Sequence, residues 1–250
     1  MTRTEQLDFM IGELLPGAAI PKREADKWTM FRSLVNVRQP GPVSKAFLDV
    51  QDAILRAEIE AKGITRLEDL QPITEGIYLW QGDITTLAVD AIVNAANSGM
   101  TGCYCPCHGC IDNAIHTFAG VQLRSECAKL MAAQGYAEPA GQAKITKAYN
   151  LPSRFVIHTV GPIVNGPLTN RHREQLAACY RSCLELAEKK HLSSIAFCCI
   201  STGEFHFPNK EAAKIALGAV REFIANTGSN MCVVFNVFHR ADDMLYRRQL

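Results

Sequence analysis

The sequence predicts an α/β fold, a mixed sheet sandwiched by helices with a helical segment in front of it, and three observations carry that expectation. From about residue 71 onward, short apolar runs rich in β-branched and aromatic residues alternate with stretches of helical periodicity, the signature of a layered α/β domain. Before that point the chain holds only helical stripes interrupted by prolines. The 250 residues are 48% hydrophobic, enough to fill a sizeable core.

In chain order, Leu7, Ile11, Leu14 and Leu15 make a first apolar stripe, Trp28, Phe31 and Val35 a second, and Phe47, Gln51, Ile54, Leu55 and Ile59 a third with one polar gap. Pro16, Pro21, Pro40 and Pro42 punctuate them and Gly63 ends the last. Three short amphipathic helices bury little by themselves, so residues 1–70 read as a helical extension that packs on the rest of the chain. A partner surface is the alternative use of the Trp and Phe stripe. Residues 71–250 then form the main domain. Strands are expected over 77–80, 91–93, 143–149, 155–160, 195–200 and 232–238. Asn94, Asn97 and Ser98 come after the second as turn formers. One helix is expected from Ile111, whose face is Ile111, Ile115, Ala119, Leu123 and Cys127. A second runs through Leu176, Tyr180, Cys183, Leu184 and Ala187, and a third through Ala213, Ala216, Leu217, Val220, Phe223 and Ile224.

Composition excludes several classes. A formal net charge of +1 with no run of like charges leaves no basic footprint for nucleic acid. The opening MTRTEQLDFMIGELL interleaves charges with apolar residues and has no continuous apolar core of a signal peptide. No stretch approaches a membrane span, so a cytoplasmic protein is expected. In such a reducing compartment, ten cysteines favour metal binding or burial over disulfides.

The chemistry is expected in the stretch DAIVNAANSGMTGCYCPCHGCIDNAIHTF, residues 90–118. A buried strand ends there in amide side chains, at the strand end where open α/β sheets bind ligands. Cys103, Cys105, Cys107, His108 and Cys110 place five sulfur or imidazole donors within eight residues. Zinc suits such donors, and three of them with an open fourth position make a catalytic pattern. Cys103, His108 and Cys110, spaced C-x4-H-x-C, are the chosen ligands, with Cys105 and Cys107 pointing away or serving as spare thiols. The bland alternative is a set of free cysteines acting as small hydrophobes. No second metal-ligand pair occurs elsewhere. Asp112 stands in the first turn of the next helix, where a carboxylate is favoured; beside the zinc-ligand spacing it reads as a base or water orienter, and without that spacing as a helix cap. His116 and His158 read as core or loop histidines.

Two more loops belong to the same region. Gly82 and Asp83 form a turn after the first strand, leaving the Asp83 carboxylate free to accept hydrogen bonds. Ser201, Thr202 and Gly203 come directly after another strand, where hydroxyls and close backbone approach can cradle a phosphate. Phe205 and Phe207 alternate with polar residues there, so one ring is expected to face a ligand.

The segments GDIT (82–85), VDAIVNAAN (89–97), CIDNAIHTFAG (110–120), HTVGP (158–162), ISTGEFHFP (200–208) and the terminal VVFNVFHRADDMLYRRQL occur together and in order, and with them residues 71–250 resemble a macrodomain. The Cys/His loop and the helical extension resemble the zinc-containing microbial branch of that family. The resemblance implies a three-layer α/β/α fold and an ADP-ribose ligand. Asp83 and Ile84 would receive the adenine, with Asn236 near the adenosine. Ser201, Thr202, Gly203, Glu204 and Phe205 would wrap the diphosphate. Asn97, Cys110, Ile111, Asp112 and Asn113 would line the distal ribose, Asn97 fixing it and Asp112 acting as base. It further implies zinc on Cys103, His108 and Cys110, and hydrolysis of ADP-ribose from a mono-modified protein. Relatives of that branch are linked with a lipoyl-carrier protein and a sirtuin-type ADP-ribosyltransferase, which become the expected partners. This chain departs from metal-free hydrolytic relatives, whose loop before the Asp is Gly-rich, because CYCPCHGC stands there instead. The rival readings are a module that only binds ADP-ribose and a deacetylase of O-acetyl-ADP-ribose.

Overall fold

A computed structural model describes all 250 residues, Met1 to Leu250. Helix α1 (Arg3–Leu14) starts at a reciprocal cap between Thr2 and Glu5, and α2 (Glu24–Val37) comes after the Pro16 and Pro21 segment. Helix α3 (Lys45–Lys62) is capped by the Ser44 hydroxyl and stops at Gly63, whose φ of +88° ends the helix. Then come β1 (Thr65–Arg66), β2 (Pro72–Thr74), β3 (Ile77–Gln81), β4 (Leu87–Ala88) and β5 (Ala91–Ala96). Helices α4 (Ile111–Ala119) and α5 (Val121–Gln134), strands β6 (Ala143–Lys147) and β7 (Phe155–Val160), and α6 (Asn170–Lys189) are next. The chain closes with β8 (Ser194–Phe197), α7 (Asn209–Thr227), β9 (Cys232–Val237) and α8 (Arg240–Arg247).

Seven strands form one mixed sheet in the order β2-β3-β9-β8-β5-β7-β6. The five central strands run parallel and are almost wholly apolar, as strands covered on both faces must be; β2 and β6 close the two edges antiparallel. Strands β1 and β4 pair separately. Helices α1 to α5 pack as one group and α6 to α8 as another, with the sheet between them, which is the expected three-layer α/β/α arrangement. The extension does pack on the main domain. Leu7, Met10, Ile11, Phe31, Phe47, Ile54, Leu55 and Ile59 belong to the same core cluster as the sheet residues Ile92, Val93 and Val234. Leu15, expected on the first stripe, is exposed because the helix ends before it. No helix is long and apolar enough to cross a membrane.

Four expectations need correction. The strand expected to stop at Val93 continues to Ala96, so Asn94 is no turn residue: it is fully buried and pairs in register with His158 of β7. The helix expected from Ile111 through Cys127 is two helices, because Gly120 takes φ +96° and a Cβ there would collide with Gln51 and Gln122. Strand 143–149 ends at Lys147, before Tyr149 turns left-handed at φ +57°. Strand 195–200 ends at Phe197, whose pairing with Phe235 is its last. The two- and three-residue strands β1, β2 and β4 are too short to show a period.

Candidate active site

The carboxyl ends of β5, β7, β8 and β3 lead into the loops that build the site, where the topology of an open α/β sheet places ligands. At the end of β5 the chain makes an irregular loop before α4. Within it Cys103 Sγ lies 3.5 Å from His108 Nδ1, and the donor atoms of Cys103, His108 and Cys110 all lie within 4.8 Å of one another. Two sulfurs and an imidazole at that separation can share one ion, so the chosen set fits zinc. Cys110 is also the cap of α4, its Sγ accepting from Asn113 N. Burial, with Cys103 and Asp112 beside it, pushes the Cys110 thiol up to about 12. A cation shared with Cys103 would reverse that penalty, because thiolates are the metal-binding form. The other ring nitrogen of His108 faces the Glu204 carboxylate at 3.5 Å, joining the loop after β5 to the loop after β8. Cys105 is exposed, and Cys107, at φ +52°, turns to Ser33 of α2.

Asp112 is not a cap. Cys110 fills that role, and the buried Asp112 carboxylate turns instead to the β5 amides, accepting from Asn94 Nδ2 at 2.8 Å and from Asn97 Nδ2 at 3.3 Å. Burial raises its carboxyl to about 6, partly offset by the Asn94 hydrogen bond and the Arg124 charge. Behind it lie the two histidines, buried as expected. His158 Nδ1 meets the second Asn94 N–H at 3.1 Å and Nε2 meets Thr146 Oγ1 at 2.9 Å, so both ring nitrogens are engaged. Cys127 Sγ, 3.7 Å from His158 Nε2, completes a His116, Cys127 and His158 cluster. His158 and Cys127 are hydrogen-bonded within it, whereas both ring nitrogens of His116 are buried without a hydrogen-bond partner. Burial lowers the His158 imidazole to about 3 and holds His116 well below the usual range. His116 Nε2 stands 3.5 Å from Asp112 Oδ1, one helical turn away.

The loop after β8 carries Ser201 at φ +66°, and a Cβ on Gly161 of the neighbouring loop would collide with its hydroxyl. Ser201 Oγ is buried with no partner, while the backbone N–H groups of Gly203, Glu204 and Phe205 make no hydrogen bond within the chain. Such a row of free donors suits an anion. Phe207 is core, whereas Phe205 is half-buried against Ala96, Met100 and Val160, so the ring left for a ligand is Phe205.

After the carboxyl end of β3 Asp83 departs from expectation: its carboxylate is not free. Oδ1 accepts from Thr85 N and Oγ1, and Oδ2 pairs with Lys62 Nζ at 2.8 Å. Burial works to raise that carboxyl, but the Lys62 and Thr85 hydrogen bonds outweigh it and hold it below its ordinary value. The Ile84 side chain is in the core, leaving only its backbone for a ligand, and Asn236 is buried, donating to the carbonyls of Trp80 and Gly82. Sequence reasoning missed Asn94, Lys62 and Arg124. Only the i, i+4 spacing of Asp112 and His116 signalled part of this network.

The Macro domain family model matches residues 93–216. A protein-ADP-ribose hydrolase of Treponema medium is 54% identical over 258 residues, covering 99% of each chain. A protein-ADP-ribose hydrolase of Staphylococcus aureus is 50% identical over 230 residues, covering 91% of this chain and 86% of that one. The structure of a Trypanosoma brucei macrodomain in complex with ADP-ribose superposes with a TM-score of 0.66 at 33% identity, covering 87% of this chain and 94% of that one.

Proposed function

This chain belongs to the macrodomain family, and from that premise we propose that it is a zinc-dependent hydrolase releasing ADP-ribose from mono-ADP-ribosylated protein. Hydrolysis of ADP-ribosylated protein is supported by the activity named for relatives that match nearly the whole chain. The zinc dependence rests on one observation, the convergence of Cys103, His108 and Cys110 beside Asp112 and Asn97.

In this reading Asp83, the Ile84 backbone and Asn236 meet the adenosine, and the free N–H groups of residues 203 to 205 with the Ser201 hydroxyl hold the diphosphate. That places the distal ribose over Asn97, Asp112 and the first turn of α4. Asn97 fixes the wall against which the ribose lies, since its amide holds the Asp112 carboxylate and the Gly102 carbonyl at once. Asp112, with its carboxyl raised toward neutral pH by burial, accepts the proton of the attacking water. Asn94 keeps it aimed by holding Oδ1. When bound by Cys103, His108 and Cys110, zinc supplies Lewis-acid polarisation of an oxygen at the distal ribose. The modified protein is then a lipoyl-carrier protein labelled by a sirtuin-type transferase, a choice that rests on resemblance alone. A cytoplasmic setting is part of the same reading and rests on the sequence alone.

Metal analysis joined to a de-ADP-ribosylation assay tests the reading. The full chain should carry about one zinc, as a three-donor site of this kind implies. Cys110→Ala should lose both zinc and release of ADP-ribose, and Asp112→Asn should keep zinc while kcat falls by about 10²–10⁴. Undiminished turnover in Cys110→Ala would remove the metal from the mechanism. ADP-ribose binding without turnover on any modified protein would leave a binding module instead.

A further inference from the structure

We infer that helix α2 of the N-terminal extension is the scaffold that holds the Cys/His loop in its donor-converging shape, with Arg32 and Asn36 as positioning residues. The loop from Gly102 to Cys110 has no helix or strand of its own and makes one backbone hydrogen bond within itself, His108 N to Cys105 O, so the rest of its buried backbone groups depend on other elements. Thr29, Arg32, Ser33 and Asn36 recur at i, i+3, i+4 and i+7, one face of α2, and all four touch that loop. Arg32 Nη2 donates to the carbonyl of the ligand residue His108 at 3.0 Å and to Asn113 Oδ1 at 2.9 Å. Asn113, fully buried, passes the support on: its Nδ2 donates to the Cys105 carbonyl at 3.0 Å and its backbone N–H to Cys110 Sγ at 3.4 Å. Asn36 Oδ1 accepts from Cys107 N at 2.9 Å, while its Nδ2 donates to Thr117 Oγ1 of α4 at 3.0 Å. Cys107 Sγ lies between Ser33 Oγ, at 3.2 Å, and the Thr29 carbonyl, at 3.5 Å. This gives a role to a cysteine that the metal set leaves over.

The helix is fixed in turn from the domain side. Arg124 Nη1 donates to the carbonyls of Val35, Asn36 and Arg38, closing the C-terminal end of α2, and its guanidinium lies 4.4 Å above the Tyr104 ring in the loop. A polar face on a helix is ordinarily solvated; here it is spent on nine residues of loop. Groups that orient metal ligands without touching the ion commonly change metal affinity 10- to 100-fold when removed. The geometry of the proposed metal site therefore depends on a helix that lies outside the stretch matched by the family model.

Hydrogen exchange of residues 102–110 in the chelator-treated full chain tests the scaffold without reference to metal. Arg32→Ala and Asn36→Ala should each speed exchange of the Cys107 and His108 amides, the two loop N–H groups with partners in the chain, by about tenfold, as expected for one lost hydrogen bond. Gln51→Ala is the control. It removes a contact from α3 to Val121 and Gln122 and so loosens the extension elsewhere, and it should leave loop exchange at the wild-type rate. A second arm rests on the proposed zinc site: transfer of zinc to a colorimetric chelator should be about 10- to 100-fold faster from Arg32→Ala. It should be intermediate for Arg32→Lys, which keeps the charge but replaces the planar guanidinium whose Nη2 makes both contacts. Loop exchange equal to wild type in Arg32→Ala and Asn36→Ala overturns the scaffold. So does equal loosening of the loop by Gln51→Ala. A wild-type chain that takes up no zinc defeats the metal reading only, and the exchange arm still decides the scaffold. Should an alanine variant fail to fold, Ser33→Ala, which removes the hydroxyl facing Cys107, carries the same exchange test.

Discussion

Asn94 distributes one amide between the two halves of the buried network: one N–H to Asp112 Oδ1, the other to His158 Nδ1. For His158 Nδ1 to accept, the ring must be neutral with its proton on Nε2, which then donates to Thr146 Oγ1. The depressed titration of His158, to about 3, stems from burial and has a consequence for stability. Below the unfolded value of about 6.5 the unfolded chain binds a proton that the folded chain refuses, so stability falls as pH drops from about 6.5 toward 3. The slope is about 1.4 kcal/mol per pH unit for each such group. His116 acts in the same sense. Urea unfolding between pH 7.5 and 5 should therefore show a shallower decline in His158→Gln than in wild type, although the variant starts lower at pH 7.5. Parallel declines would mean that the imidazole is protonated in the fold. The Cys103, His108 and Cys110 set was legible at this scale because all three lie within eight residues. The partners of Asp83 and Asp112 were not, since Lys62 and Asn94 reach them from other elements.

Among the elements, the loop between β5 and α4 depends on a backbone that side chains other than glycine oppose. Gly102 takes φ +87°, and a Cβ there would lie 2.9 Å from His116 Cγ and 3.0 Å from Arg124 Nη2. Gly102→Ala should cost about 1–3 kcal/mol through backbone strain and displaced packing. Each kcal/mol corresponds to roughly 2–4 °C in Tm for a chain of this length. Activity should fall further than stability, because the Gly102 carbonyl is one of the two groups Asn97 holds. A variant with unchanged Tm and turnover would show that the loop tolerates the substitution. Helix boundaries divide in the same way. The stop at Gly63 is visible in sequence, whereas the break at Gly120 is hidden because the apolar spacing runs through it unbroken.

For the whole molecule, the extension and the sheet share one core. Trp28 packs its ring 6.2 Å from Phe118 of α4, and Lys62 lies 3.4 Å above the same ring while pairing with Asp83. Each large apolar side chain buried at such a joint contributes about 1.5–3 kcal/mol. Deleting residues 1–62 should therefore yield a chain that aggregates or binds a hydrophobic dye, measured by light scattering and dye fluorescence. A monomeric, cooperatively unfolding 63–250 fragment would contradict this. The extension touches the cleft at both ends, Lys62 beside Asp83 and Arg32 behind His108, so its removal would reach the site as well as the core.

The sequence by itself determined the alternation of strands and helices, the helical extension, and the cluster of Cys and His side chains in one loop, because period and short spacing are local properties of a chain. Tertiary structure decided which groups those side chains meet. It carried Asn94 into a strand opposite His158, engaged Asp83 with Lys62, and turned a polar face of α2 toward the Cys/His loop. Those pairings join residues up to 81 positions apart, as Arg32 and Asn113 are. They are fixed only when buried polar groups must find partners in a packed interior.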